Sequence, residues 1–156
     1  MRPLILFGCI LCFVLTAYGC DKQKPDLVIT KNSKVVYIDE QGQYLTFDVS
    51  IKNKSITEAA SFQVKINILD QAIASKLSMN ELLIGEALTG KKGTGKIYKV
   101  SPDEETHVGG TIEVTEKIDK VRFRKAIEKN KAIEALILND EEDRLASEYI
   151  NVLKEE

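Results

Sequence analysis

Strict alternation of apolar and polar residues between Tyr44 and Asp70 limits this chain more than any other feature. Leu45, Phe47, Val49 and Ile51 fall on one parity, against Thr46, Asp48, Ser50 and Lys52. Beyond the link Asn53-Lys54-Ser55-Ile56-Thr57-Glu58, the same alternation sets Ala60, Phe62, Val64, Ile66 and Ile68 against Ser61, Gln63, Lys65 and Asn67. A period of two puts each apolar set on one face of a strand, and the polar link supplies turn chemistry. Half-buried strands with a wet outer face belong to antiparallel sheets packed on one side, so the expectation is a β-sandwich.

The flanks of this pair agree. Asp26–Thr30 and Val35–Ile38 read as an opening strand broken at Lys31-Asn32-Ser33, and Asp39–Gln43 as a turn. Residues 72–96 look like an insertion: a weak helical period runs through Leu77, Leu82 and Leu83, and Leu82–Ile84 fits a short strand equally well. Ile97–Val100 and Thr106–Thr115 read as strands, the second with Val108, Ile112 and Val114 inward and His107, Thr111 and Glu113 outward. Glu116–Lys129 lacks Gly and Pro and spaces Phe123 and Ile127 four apart, which predicts a helix. Ala132–Leu138 is apolar except for Glu134, as expected of a central strand, and Ala146–Leu153 closes the fold. The sum is a mainly β, immunoglobulin-like antiparallel sandwich of about seven strands, with one short helix between late strands.

Cysteine and histidine remove several chemistries. Cys9, Cys12 and Cys20 are the only cysteines, so the 136 residues after them hold no disulfide, cysteine nucleophile or thiolate metal site. His107 is the only histidine, which excludes histidine-rich metal centres and argues against a catalytic triad. The formal charge is −2, or −3 without Arg2, and so small an excess gives no electrostatic case for nucleic acid.

The N-terminus reads as an address. A short positive start, Met1-Arg2-Pro3, precedes an apolar run from Leu4 to Leu15, then Thr16-Ala17-Tyr18-Gly19-Cys20 and an abruptly polar Asp21-Lys22-Gln23-Lys24. The run is too short for a comfortable span and suits a secretory signal. Ala17-Tyr18-Gly19-Cys20 resembles the lipobox of bacterial lipoproteins. That resemblance implies cleavage after Gly19, a diacylglyceryl group on Cys20, and a protein held on the extracytoplasmic side of a cell membrane. The expected organisation is a signal at 1–19, a lipidated cysteine and tether at 20–25, and a sandwich domain at 26–156.

The strand order also resembles bacterial immunoglobulin-like modules of the CARDB type, a family named for cell-adhesion roles. The matching residues are Pro25–Ile29, Phe47–Asn53, Ala60, Phe62–Val64 and the turn Ser101–Glu105, which here lacks the glycine that the family places after its proline. Together the two resemblances imply a membrane-anchored, non-enzymatic module for binding, adhesion or scaffolding, with an envelope protein or a glycan as partner and no cofactor. The alternatives are an accessory subunit of an envelope or secretion complex, or a carboxylate-based cell-wall hydrolase.

Few side chains suggest a site. Gly90–Lys96 matches the start of a phosphate-binding loop, but Ile97 stands where a magnesium-binding Ser or Thr is required. A hairpin tip presenting Lys91, Lys92 and Lys96 to an anionic partner fits better. The acidic turns Asp103-Glu104-Glu105 and Asp140-Glu141-Glu142-Asp143 would share one pole of a sandwich, making Asp103, Asp140 and Asp143 weak calcium candidates. Tyr37, Tyr44, Tyr98 and Tyr149 could furnish a recognition surface.

Overall fold

The computed structural model describes residues 25–38, 44–85, 98–129 and 131–155. They form two sheets packed face to face, a β-sandwich. Its strands are β1 (Leu27–Ile29), β2 (Lys34–Ile38), β3 (Tyr44–Asn53), β4 (Ala59–Ile68), β5 (Glu81–Ile84), β6 (Tyr98–Val100), β7 (Glu105–Glu113), β8 (Ile133–Leu138), β9 (Arg144–Tyr149) and β10 (Leu153–Glu155). Two helices, α1 (Gln71–Ala74) and α2 (Lys120–Lys129), complete the described elements.

β3 organises the first sheet. β1 pairs with its last residues and β2 with its first, both antiparallel, while β7 lines its other edge from Tyr44↔Glu113 to Lys52↔Glu105. β10 adds outside β2 as the parallel member. β4 organises the second sheet in the same way: β6 and β5 pair along one edge and β8 along the other, with β9 outside β8. The inward parity of β3 and β7 agrees with the sequence, since Leu45, Phe47, Val49, Ile51, Val108 and Ile112 are all fully buried. Each such side chain contributes about 1.5–3 kcal/mol by leaving water.

The two central strands do not pair with each other. They face across the core from opposite sheets, because the chain crosses over at Asn53. That side chain is 0% exposed. Its amide donates to the carbonyls of Thr57 (2.7 Å) and Val100 (3.0 Å). Its Oδ1 accepts from the Ser55 amide (3.0 Å) and Ser55 Oγ (2.7 Å). Full satisfaction makes a buried amide tolerable here. Immediately after the crossover, Ser61 sits at φ 59° and the β4–β6 register slips between Ala60 and Phe62, so Ala59 joins the core beside Phe62.

Between residues 69 and 84, Asp70 caps α1 by accepting from the amides of Ala72 and Ile73, and β5 then runs antiparallel to β4. Gly110 brings β7 close to β5. A Cβ there would lie 2.7 Å from Leu82 Cδ2 and 2.8 Å from Ile84 Cδ1, closer than packed atoms allow.

α2 begins at Lys120 rather than Glu116, because Asp119 ends the preceding segment: its Oδ1 accepts from the Arg122 amide at 2.8 Å, an N-cap. Phe123, Ala126 and Ile127 are buried from the helix, and Ile118 from the segment before it. The predicted closing strand is two strands. β9 ends at Tyr149, and after Ile150 the chain moves to the first sheet as β10.

Candidate functional site

The outer face of the first sheet gathers the residue types of a nucleophilic triad. Asp48 and Ser50 share a face of β3, and register sets His107 of β7 opposite Ser50. His107 Nδ1 lies 2.8 Å from Asp48 Oδ1, and Lys34 Nζ lies 3.0 Å from Asp48 Oδ2. Burial alone would push the Asp48 carboxyl up, yet the hydrogen bonds from His107 and Lys34 outweigh it and hold the group below its ordinary value. His107 is 58% exposed, on the outward parity the sequence indicates, but it has a carboxylate partner that the parity does not reveal.

Ser50 is not presented to that histidine. Its hydroxyl donates to Glu105 Oε1, which also accepts from Asn32 Nδ2 (3.0 Å) and Thr30 Oγ1 (3.2 Å). Those hydrogen bonds, Ser50's first, hold the Glu105 carboxyl below its ordinary range. The β1–β2 break folds over Ser50: its amide donates to Ser33 Oγ (3.0 Å) and its carbonyl accepts from the Thr30 amide (2.8 Å). A serine nucleophile must hand its proton to the imidazole, whereas this hydroxyl is committed to Glu105. The cluster ties β1, β2, β3 and β7 together, and the face serves as a polar clasp.

The acidic turns do meet at one pole, as expected. Asp103 donates its amide to the Asn53 carbonyl at φ 58°, beside the β3–β4 crossover. The 139–143 turn is folded by Asn139, whose Oδ1 accepts from the amides of Glu141 (3.0 Å) and Asp143 (2.7 Å). Among the described residues no group of three His, Cys, Asp or Glu side chains gathers to hold a metal ion, so Asp103, Asp140 and Asp143 share an end without sharing a site. Beside the turn lies a groove of about 370 Å3, between Pro25 and Leu27, Ala59 and Phe62, and Leu145, with Asp140, Glu141 and Asp143 on its rim. Gly19, Cys20, Lys91, Lys92 and Lys96 lie outside the described residues. Of the four tyrosines, Tyr98 is buried against Phe62, and Tyr149 lies under the Lys131 ammonium at 4.8 Å.

The opposite pole carries the feature that summing charge over the whole chain conceals. Residues 116–131 contain seven basic side chains against three acidic ones. Lys120, Arg122, Arg124, Lys125 and Lys129 are all exposed on α2, and Lys117 and Lys131 flank it. Among them Val121 stands 81% exposed. The helix is positioned from below by Phe123, Ala126 and Ile127, and Lys76 Nζ braces its approach by donating to the Lys117 carbonyl at 2.8 Å. Lys129 in the last turn suits the negative end of the helix dipole. A windowed charge count along the sequence would have found this patch.

No family model matches the chain, and no curated protein matches it. A solved structure to which the chain has a partial likeness is that of Pseudomonas fluorescens alkylpurine DNA glycosylase AlkC bound to DNA containing an abasic site analog. The likeness has a TM-score of 0.39 at 9% identity, over 83% of this chain and 31% of that one. At that level it transfers neither activity nor ligand. The expectation of a membrane-anchored module for binding, adhesion or scaffolding is withdrawn, with its alternatives. The comparisons give it no support. No helix among the described residues is long and apolar enough to cross a membrane.

Proposed function

We propose that this protein is a non-catalytic docking domain that uses α2 to engage an acidic surface on a protein partner. The observation that carries the reading is the exposed arc of α2, five cations around Val121 on a helix fixed to the core by Phe123 and Ile127. An apolar centre inside a charged rim is the anatomy of a protein interface. Clustered charge of one sign steers encounter and suppresses wrong partners more than it adds affinity. One detail favours a protein over nucleic acid: no exposed residue of α2 is aromatic, the type on which single strands stack. The commitment of the Ser50 hydroxyl to Glu105 supports a role without catalysis.

The reading is tested on immobilised poly-glutamate at low salt. The wild-type protein is expected to be retained and released by salt, and Arg122→Glu/Lys125→Glu/Lys129→Glu to flow through while remaining folded. Equal elution of the two proteins would sink it.

A further inference from the structure

The acidic surface that α2 fits is present on the same molecule, at its other end. β7 ends and β8 begins at the α2 pole, while β3 ends, β8 ends and β9 begins at the acidic pole. A ten-residue strand such as β3 spans about 33 Å, so α2 cannot reach the acidic turns of its own copy. We infer that the partner is a second copy of this chain, and that copies associate end to end, with α2 of one seated on the acid-rimmed groove of the next. This rests on the docking reading and names its partner.

The two ends match in kind. The groove has an apolar floor from Leu27, Ala59, Phe62 and Leu145, and α2 offers one strongly exposed apolar side chain, Val121. The rim carries Asp140, Glu141 and Asp143, and Val121 shares its surface with Lys120, Arg124, Lys125 and Lys129, Glu128 being the one acidic side chain among them. Asp103 and Glu104 extend the acidic end beyond the groove. A formal charge of only −2 leaves little long-range repulsion between copies to oppose the attraction of their ends. Because the two surfaces differ, the contact is heterologous: each added copy presents a fresh α2 at one end and a fresh groove at the other, which gives open chains unless a rotation closes them. Charge at the contact makes association salt-sensitive, since screening acts over about 8 Å at physiological ionic strength.

Sedimentation velocity of the full chain in a non-ionic detergent at low salt, over a wide concentration range, tests the inference. The detergent keeps the apolar run Leu4–Leu15 from driving association itself. The wild-type protein is expected to sediment faster as concentration rises and to revert to monomer at high salt. Arg122→Glu/Lys125→Glu/Lys129→Glu alone, and Asp140→Lys/Glu141→Lys alone, each set like charges against each other. Each should need on the order of 30-fold more protein to associate. Mixed in equal amounts the two variants carry complementary ends again, and association should return. The acidic-end variant should still bind poly-glutamate, which shows its α2 intact.

A wild-type protein monomeric throughout, association that persists in either reversed variant alone, or a mixture that stays monomeric would each overturn the inference. Retention of the wild type on poly-glutamate without self-association would remove the end-to-end contact and leave the docking reading standing. Loss of retention would remove both.

Discussion

Replacing Asn53 by Asp changes one atom at the point where the chain crosses between sheets, and the structure sets the cost. The side-chain amide donates to two buried carbonyls, Thr57 at 2.7 Å and Val100 at 3.0 Å. A carboxylate in that place donates to neither. Each carbonyl left without its donor costs about 1–3 kcal/mol, and the new charge is buried as well. The loss at neutral pH is therefore about 2–6 kcal/mol, a large share of the about 5–15 kcal/mol that holds a typical domain together.

Burial and two facing carbonyls disfavour the ionised form, so the carboxyl introduced by Asn53→Asp titrates above the ordinary range. Protonated, it regains one donor. Part of the deficit relative to wild type should therefore disappear as pH falls through that raised value and return as pH rises. Urea unfolding followed by circular dichroism at pH 7 and pH 5 measures both effects, with the exposed Asn151→Asp as control. A deficit under 0.5 kcal/mol at pH 7, the range of ordinary surface changes, or one that does not narrow at pH 5, would refute the account of Asn53 as the satisfied hinge of the crossover.

Two further outcomes are expected. Phe123→Ala should cost about 3–5 kcal/mol, because a fully buried ring holds α2 to the core, while Val121→Ala two residues away should stay within about 0.5 kcal/mol; paired urea titrations decide it, and similar costs would mean α2 is not anchored as described. Asp48 and Glu105 have folded-state values held low, so their contribution is complete above the ordinary carboxylate range and is lost as pH falls below about 4. Asp48→Asn/Glu105→Gln should therefore lose less stability than wild type between pH 5 and pH 2, and parallel acid unfolding curves would remove the polar clasp as a source of stability.

Alternation made the strands of this fold legible, because a face-on sheet sorts side chains by parity and nothing else at Leu45–Ile51 or Val108–Ile112 competes. Parity names a strand's faces and not its neighbours. β3 and β4 therefore read as a pair although they lie in different sheets, and the deciding contacts, Asn53 to Val100 above all, join residues far apart in the chain. Ser50 shows the same limit. Its outward parity predicts exposure, but Ser33 and Glu105 close over it. The switch of β10 into the first sheet was invisible because no Gly or Pro separates Tyr149 from Leu153, and the lone Asn151 there is too weak a signal to divide one strand into two. The basic cap was legible in composition and lost in summation, since its excess is cancelled by acidic turns at the other end of the strands.

The parallel pair of β10 with β2 also bears on how the chain reaches this state. It joins Leu153–Glu155 to Val35–Tyr37, about 118 positions apart, so its closure carries one of the largest loop entropies in the molecule. Contacts of such separation form late and slow folding. Until β10 arrives, the outer edge of β2 offers unpaired amides and carbonyls to any extended segment nearby. The edge of β2 is therefore exposed to mispairing into the last stage of folding, when the core is formed and β10 has yet to dock.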